Sequence, residues 1–206
     1  TMIRDTYQVL GGQARYESKI KGSRFIASGN EIVDSEAAEH ILKTLHRKFH
    51  DATHNCYAYR LGYGSQDTII THQSDDGEPT GTAGAPILQA LAGAGLTNSI
   101  IVVTRYFGGT KLGTGGLARA YSEAAHKLIA EAGTAQRILY AQLTVTYSFD
   151  LTSPVMHCLT THGARIINTT YTDQPIISAE IRLRNKQALM EDLIGRTNGQ
   201  AVICET

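Results

Sequence analysis

The stretch VTRYFGGTKLGTGGLARAY, Val103 to Tyr121, runs from an apolar segment through a loop into an amphipathic pattern. It holds five glycines (Gly108, Gly109, Gly113, Gly115 and Gly116) and three cations (Arg105, Lys111 and Arg119). Just upstream, SIIVVT (residues 99–104) is a β-branched run that reads as a buried strand. Downstream, Leu117, Ala120, Tyr121, Ala124 and Leu128 share one face of a helix that ends near Gly133. A glycine loop opening a helix presents free backbone N–H groups, and these together with the helix dipole favour an anion. Lys111 and Arg119 add positive charge to it. The same glycines also permit tight turns and close backbone packing, and both readings stand at this level. No Gly-Lys-Ser/Thr ends the loop, so it is not a Walker A. Gly113-x-Gly115-x-x-Ala118 has the form of a dinucleotide fingerprint, but eight residues separate it from the strand.

Working outward, SDDGEPTGTAGAP (residues 74–86) gathers Asp75, Asp76 and Glu78 among three more glycines. Three carboxylates suit a hard cation such as Mg²⁺; Asp76-Gly77 equally suits a tight bend with solvated acids. Pro86 fits the first turn of a helix carrying Ile87, Leu88, Leu91 and Leu96. HNCYAYRL (54–61) and IITHQ (69–73) read as strands joined by a Gly-Ser-Asp loop. Tyr16 to Asn30 reads as a hairpin turning at Gly22-Ser23, type II′, followed by a helix that Asp34 or Ser35 caps. His46, His50 and His54 recur every four residues, but the helix ends near Asp51, which removes His54 from a zinc face. Cys56 lies two residues after His54, and the three scattered cysteines read as reduced, mostly buried thiols. No Gly-x-Ser-x-Gly elbow supplies a hydrolase nucleophile.

After about Gln136 the pattern changes. A strand over 139–147 precedes a short helix opened by Ser153-Pro154. Two strands follow (165–171, 176–184), then a helix capped by Asn185 and a last strand at 201–204. The order β-α-β-β-α-β is that of a ferredoxin-like split βαβ. The reading is therefore α+β in two domains, 1–136 and 137–206. The C-terminal strands lack the aromatic signature of RNA-recognition sheets and offer only Tyr140, Arg182 and Arg184 on the open side.

Charge narrows the partners. Nineteen Lys and Arg balance nineteen Asp and Glu, 13 against 13 before Gln136 and 6 against 6 after it. Binding to phosphates normally shows a positive excess, so any RNA contact must come from a local patch. No apolar run approaches the roughly 18 residues of a membrane span, and TMIRDTYQVL has no signal-peptide pattern. The expectation is a cytoplasmic protein with no membrane partner and no cofactor or metal.

HNCYAYRLG, SDDGEPTGTAGAPIL and VVTRYFGGTKLGTGGLARAY together resemble the IMPACT family, and the length is similar to its bacterial YigZ-type members. The resemblance implies an N-terminal α/β fold shared with a small-subunit ribosomal protein domain and elongation factor G domain IV, and a C-terminal domain like elongation factor G domain V. Eukaryotic members regulate translation through protein contacts using an extra N-terminal domain; for bacterial members, action at the ribosome or on RNA is implied. The family motif carries over His54, Asp76, Glu78, Thr80, Arg105, Lys111 and Arg119 as the functional polar set. Arg105, Lys111 and the N–H groups of Gly113, Gly115 and Gly116 would hold phosphate, while Asp76 and Glu78 would orient a sugar hydroxyl, a cation or water. An enzyme acting on a phosphorylated or nucleotide-like small molecule, and a protein-interaction module, are the alternative functions.

Overall fold

The computed structural model describes residues 5–63 and 68–205; residues 64–67 of the loop read between the strands at 54–61 and 69–73 lie outside them. The chain separates into two compact units, Tyr7–Arg137 and the part from Ile138 on together with the segment ending at Thr6.

The first unit runs β1 (Thr6–Leu10), β2 (Ala14–Ile20), β3 (Ser23–Glu31), α1 (Ser35–Lys48), β4 (His54–Leu61), β5 (Ile70–Ser74), α2 (Gly84–Gly93), β6 (Ser99–Tyr106), α3 (Thr114–Ala132) and β7 (Thr134–Ile138). Its main sheet has the order β2-β3-β6-β4-β5, antiparallel throughout; β1 pairs with β7 in a separate ribbon. β6 is the central strand, buried on both faces because helices cover both. Ile101 and Val103 pack with Phe25, Cys56, Leu91, Leu117, Tyr121 and Leu128 under α2 and α3. Ile100 and Val102 alternate to the other side, with Ala38, Ile41 and Leu45 of α1. Thus the run of apolar residues in β6 reflects cover on two sides, although this sheet is antiparallel.

The hairpin turn differs from the type II′ expectation at Gly22-Ser23. Ile20 pairs with Ser23, so the two-residue turn is Lys21-Gly22. Both have positive φ, 44° and 84°, which is the type I′ geometry that matches the twist of antiparallel strands. Asp34 caps α1 as expected, accepting from the Ala37 N–H at 2.7 Å.

The second unit contains β8 (Tyr140–Thr146), a 3-10 turn at Phe149–Leu151, α4 (Thr152–Thr161), β9 (Arg165–Tyr171), β10 (Pro175–Arg182), α5 (Lys186–Arg196) and β11 (Val202–Glu205). The antiparallel order β11-β8-β10-β9 is the ferredoxin-like arrangement. Leu143, Val145, Ile177, Ala179 and Ile181 face Val155, Leu159, Leu189 and Leu193 of α4 and α5 in its core. Asn185 does not cap α5 with its side chain; its amide instead donates to the His162 carbonyl at 3.3 Å. Arg182 and Arg184 are not free cations on the open face, because both pair with Asp5, at 2.9 and 3.6 Å.

Candidate functional site

Arg105, the penultimate residue of β6, is only 4% exposed and lies beneath α3. Its register opposite Phe25 places the guanidinium 5.5 Å from the Phe25 ring centroid and 5.4 Å from that of Phe107. One terminal nitrogen donates to Glu78 Oε1 at 2.6 Å and the other to Ser23 Oγ at 3.2 Å. Arg105 Nε is buried with no hydrogen-bond partner among the described residues. Glu78 is equally enclosed, and its Oε1 also accepts from Tyr121 Oη at 2.8 Å. Glu78 Oε2 lies 3.9 Å from His54 Nε2, beyond hydrogen-bond length.

The tautomer of neutral His54 follows from its other nitrogen. Nδ1 is 2.7 Å from the Asp76 carbonyl oxygen, which can only accept; Nδ1 therefore carries the proton and Nε2 offers a lone pair toward Glu78. Behind this group, Cys56 Sγ lies 3.4 Å from Tyr121 Oη. Burial pushes the Cys56 thiol up to about 12, and burial likewise raises Tyr121. Cys56 is consequently a packed thiol rather than a nucleophile.

The acidic loop is built by its aspartates. Asp75 accepts from the N–H groups of Gly81, Ala83 and Gly84 at 2.8–2.9 Å, closing the loop and capping α2. Burial alone would raise its carboxyl, but the backbone donors outweigh that and hold it below the ordinary value. Asp76 adopts positive φ next to Gly77, the tight bend expected there, and accepts from the Asn55 N–H at 2.6 Å. Among the described residues no three His, Cys, Asp or Glu side chains gather as a metal-holding set. His46 and His50 stay at the end of α1, where His50 contacts the Arg47 carbonyl.

The glycines divide by role. A Cβ on Gly108 would sit 1.9 Å from the backbone of Gly22, so this glycine lets the loop lie against the hairpin turn. Gly113 has φ 75° and precedes α3 without any side-chain cap. A Cβ on Gly115 would meet nothing closer than 3.8 Å; the fold does not demand glycine there, and its absence of a side chain keeps the helix mouth open.

Glu78, Arg105, Lys111 and Gly113 line one cleft of about 350 Å³, with Pro79, Phe107, Leu112, Thr114 and Leu117. Arg119 does not join them. It lies on other surfaces of α3, with Pro86 and His126 or with Lys21 and Glu123, because five residues beyond Thr114 is about 140° around a helix. Asp76 and Thr80 are also off the cleft lining; Thr80 is exposed and the Asp76 carboxylate accepts from the Asn55 N–H. Gly115 and Gly116 contribute the first turn of α3, behind Gly113 and Thr114. Sequence reasoning missed Phe107 and Tyr121 as site residues. Phe107 follows Arg105 by two positions, and that spacing was a usable signal; Tyr121 read only as a core residue.

Comparison with known proteins supplies the lineage. The Impact N-terminal domain model matches residues 21–129, which span the cleft and both loops. The chain is 30% identical to the IMPACT family member YvyE of Bacillus subtilis (strain 168) over 97% of this chain and 91% of that protein. It is 34% identical to the IMPACT family member YigZ of Escherichia coli (strain K12) over 74% of each. A crystal structure of a hypothetical protein superposes with a TM-score of 0.73 at 26% identity, covering 99% of this chain and 98% of that one. By its matched domain and its full-length relatives, the chain belongs to the IMPACT family.

Proposed function

We propose that this protein is a cytoplasmic regulator of translation that binds RNA, at the ribosome or free, through the glycine-rich loop before α3. The observation that carries the reading is the uncapped α3 N-terminus opening with Lys111 onto the cleft. Arg105 is neutralised by Glu78, so the anion is met by Lys111 and the N–H groups of the first turn. A second feature supports RNA despite zero net charge. Arg15, Lys19 and Arg24 alternate onto the sheet face away from α3, and Arg24 lies 5.7 Å over the Tyr106 ring. Glu17 pairs with Arg15 and Arg24, and Asp51 accepts from Tyr106, so this face keeps only a small positive excess, with Lys19 outside those pairs. The implied likeness of the two units to elongation factor G domains IV and V points to the same setting.

Filter binding of RNA across a salt series tests the reading with Lys111→Ala, whose side chain is exposed and outside the core. The variant should weaken binding and reduce the salt slope by about 0.7–0.9; wild-type binding that is immeasurable at low salt, or untouched by the substitution, would sink it.

Glu78 favours a second reading, an enzyme acting on a nucleotide-like small molecule, because a buried carboxylate with one uncommitted oxygen lines the cleft. A nucleotide at 100 times its dissociation constant would then stabilise the chain by about 2.7 kcal/mol, read as a thermal shift; no shift across nucleotides removes this alternative.

A further inference from the structure

Phe107 is 46% exposed although it follows directly from the buried central strand and lines the same cleft as Lys111 and the α3 N-terminus. Its ring is held in place from one side. The Arg105 guanidinium lies 5.4 Å from the centroid, and the Phe107 N–H donates to Thr53 Oγ1 at 2.9 Å. The loop beyond it is pinned by Gly108, whose N–H donates to Ser23 Oγ at 3.2 Å. An aromatic ring so positioned keeps area in water that folding did not bury, beside a site for negative charge.

The rest of the cleft is equally selective. Leu112, Leu117 and Pro79 give it apolar walls, which a bare inorganic anion would not need. Arg105 lines it while buried, with Nε unpartnered among the described residues, and Glu78 Oε2 stands free of any hydrogen bond shorter than 3.5 Å from His54. The cleft thus offers a phosphate site, an aromatic face, one buried acceptor and apolar walls within about 350 Å³. In a duplex the base faces are already stacked on one another; only an unpaired nucleotide can bring a π-face to a protein ring.

We infer that the cleft takes one unpaired nucleotide of single-stranded RNA, its base stacked on Phe107 and its phosphate at Lys111 and the α3 N-terminus. This rests on the phosphate reading proposed above for the same loop. The test measures binding of a labelled single-stranded RNA 12-mer and of the same strand annealed to its complement, using the full chain. Wild type should prefer the single strand by about tenfold, since one stacked base is worth roughly that much or more. Phe107→Leu keeps an apolar contact on Arg105 but removes the π-face, and should abolish the preference; Phe107→Trp should retain it. Lys111→Ala should weaken both RNAs. Equal binding of the two RNAs that still depends on Lys111, or a preference unchanged in Phe107→Leu, overturns the stacking inference and leaves the phosphate reading standing. No Lys111-dependent binding of either RNA overturns both.

Discussion

At the scale of single residues, Arg105 is a motif cation committed to a buried ion pair with Glu78 rather than a free charge in the cleft. In the sequence it reads as a phosphate-binding group beside Lys111, and nothing in the spacing reveals that β3 and the acidic loop bring Ser23 and Glu78 against it. A buried ion pair adds little net stability, yet breaking one leaves an unpaired buried charge at a cost of about 3–5 kcal/mol. Arg105→Ala should therefore lower the free energy of urea unfolding by about that amount, whereas Lys111→Ala should change it by less than about 0.5 kcal/mol. Equal stabilities of the two variants would show that Glu78 is not enclosed as described. Gly108 is a second case of residue identity set by a distant backbone. Gly108→Ala would drive a Cβ to 1.9 Å from Gly22, so the hairpin and the loop must separate. The variant should unfold at lower denaturant, while Gly115→Ala, whose Cβ would make only an ordinary 3.8 Å contact with the Arg119 side chain, should be at least as stable as wild type.

At the scale of elements, most helices and strands were legible because each announces itself within a dozen residues. The alternation in β8 and β10 predicts their buried faces, and Asp34 before α1 is a cap visible three residues from its donor. The misreadings came where the partner is distant or geometric. Pro86 marks the beginning of α2, but its cap is Asp75, reaching across a loop to Ala83 and Gly84, a pairing no local capping pattern contains. Asp75→Ala should cost about 1–2 kcal/mol, read in denaturant melts. The pH dependence follows from the sign of its shift. Its folded carboxyl titrates below the ordinary aspartate value near 3.8, so its stabilising contribution is present above that value and is lost as pH falls through the lower folded one. The acid limb of stability should accordingly flatten in Asp75→Asn. The β2–β3 turn was displaced by one residue because Gly22 satisfies both type II′ and type I′ turns. Lys21 at φ 44° is the unfavourable half of the type I′ pair, and Lys21→Asn should raise stability by up to about 1 kcal/mol, since αL costs an ordinary residue about 1–2 kcal/mol.

At the scale of the molecule, zero net charge argues against a nucleic-acid partner only if charge is spread evenly, and it is not. In the second unit Arg182 and Arg184 share the Asp5 carboxylate and Arg165 pairs with Glu180, so that face carries little excess positive charge. In the first, acids are drawn into structural tasks: Asp75 and Asp76 hold backbone N–H groups, Glu78 holds Arg105, and Glu17 holds Arg24. Lys111 at the cleft, Lys19 on the opposite sheet face and Lys48 at the end of α1, over the Phe49 ring, stand outside those ion pairs. Composition counts charges without their partners, which is why this distribution was invisible in the sequence. The consequence is a small electrostatic footprint. With Lys111 and one or two further cations each neutralising one phosphate, log affinity for single-stranded RNA should fall with log salt at a slope of about −1.4 to −2.1. Lys19→Ala and Lys48→Ala should each remove about 0.7 from it if the strand continues from the cleft to these side chains. A wild-type slope steeper than about −5 would require a basic surface that the first unit does not have, and the RNA path drawn from Lys111 would then be wrong.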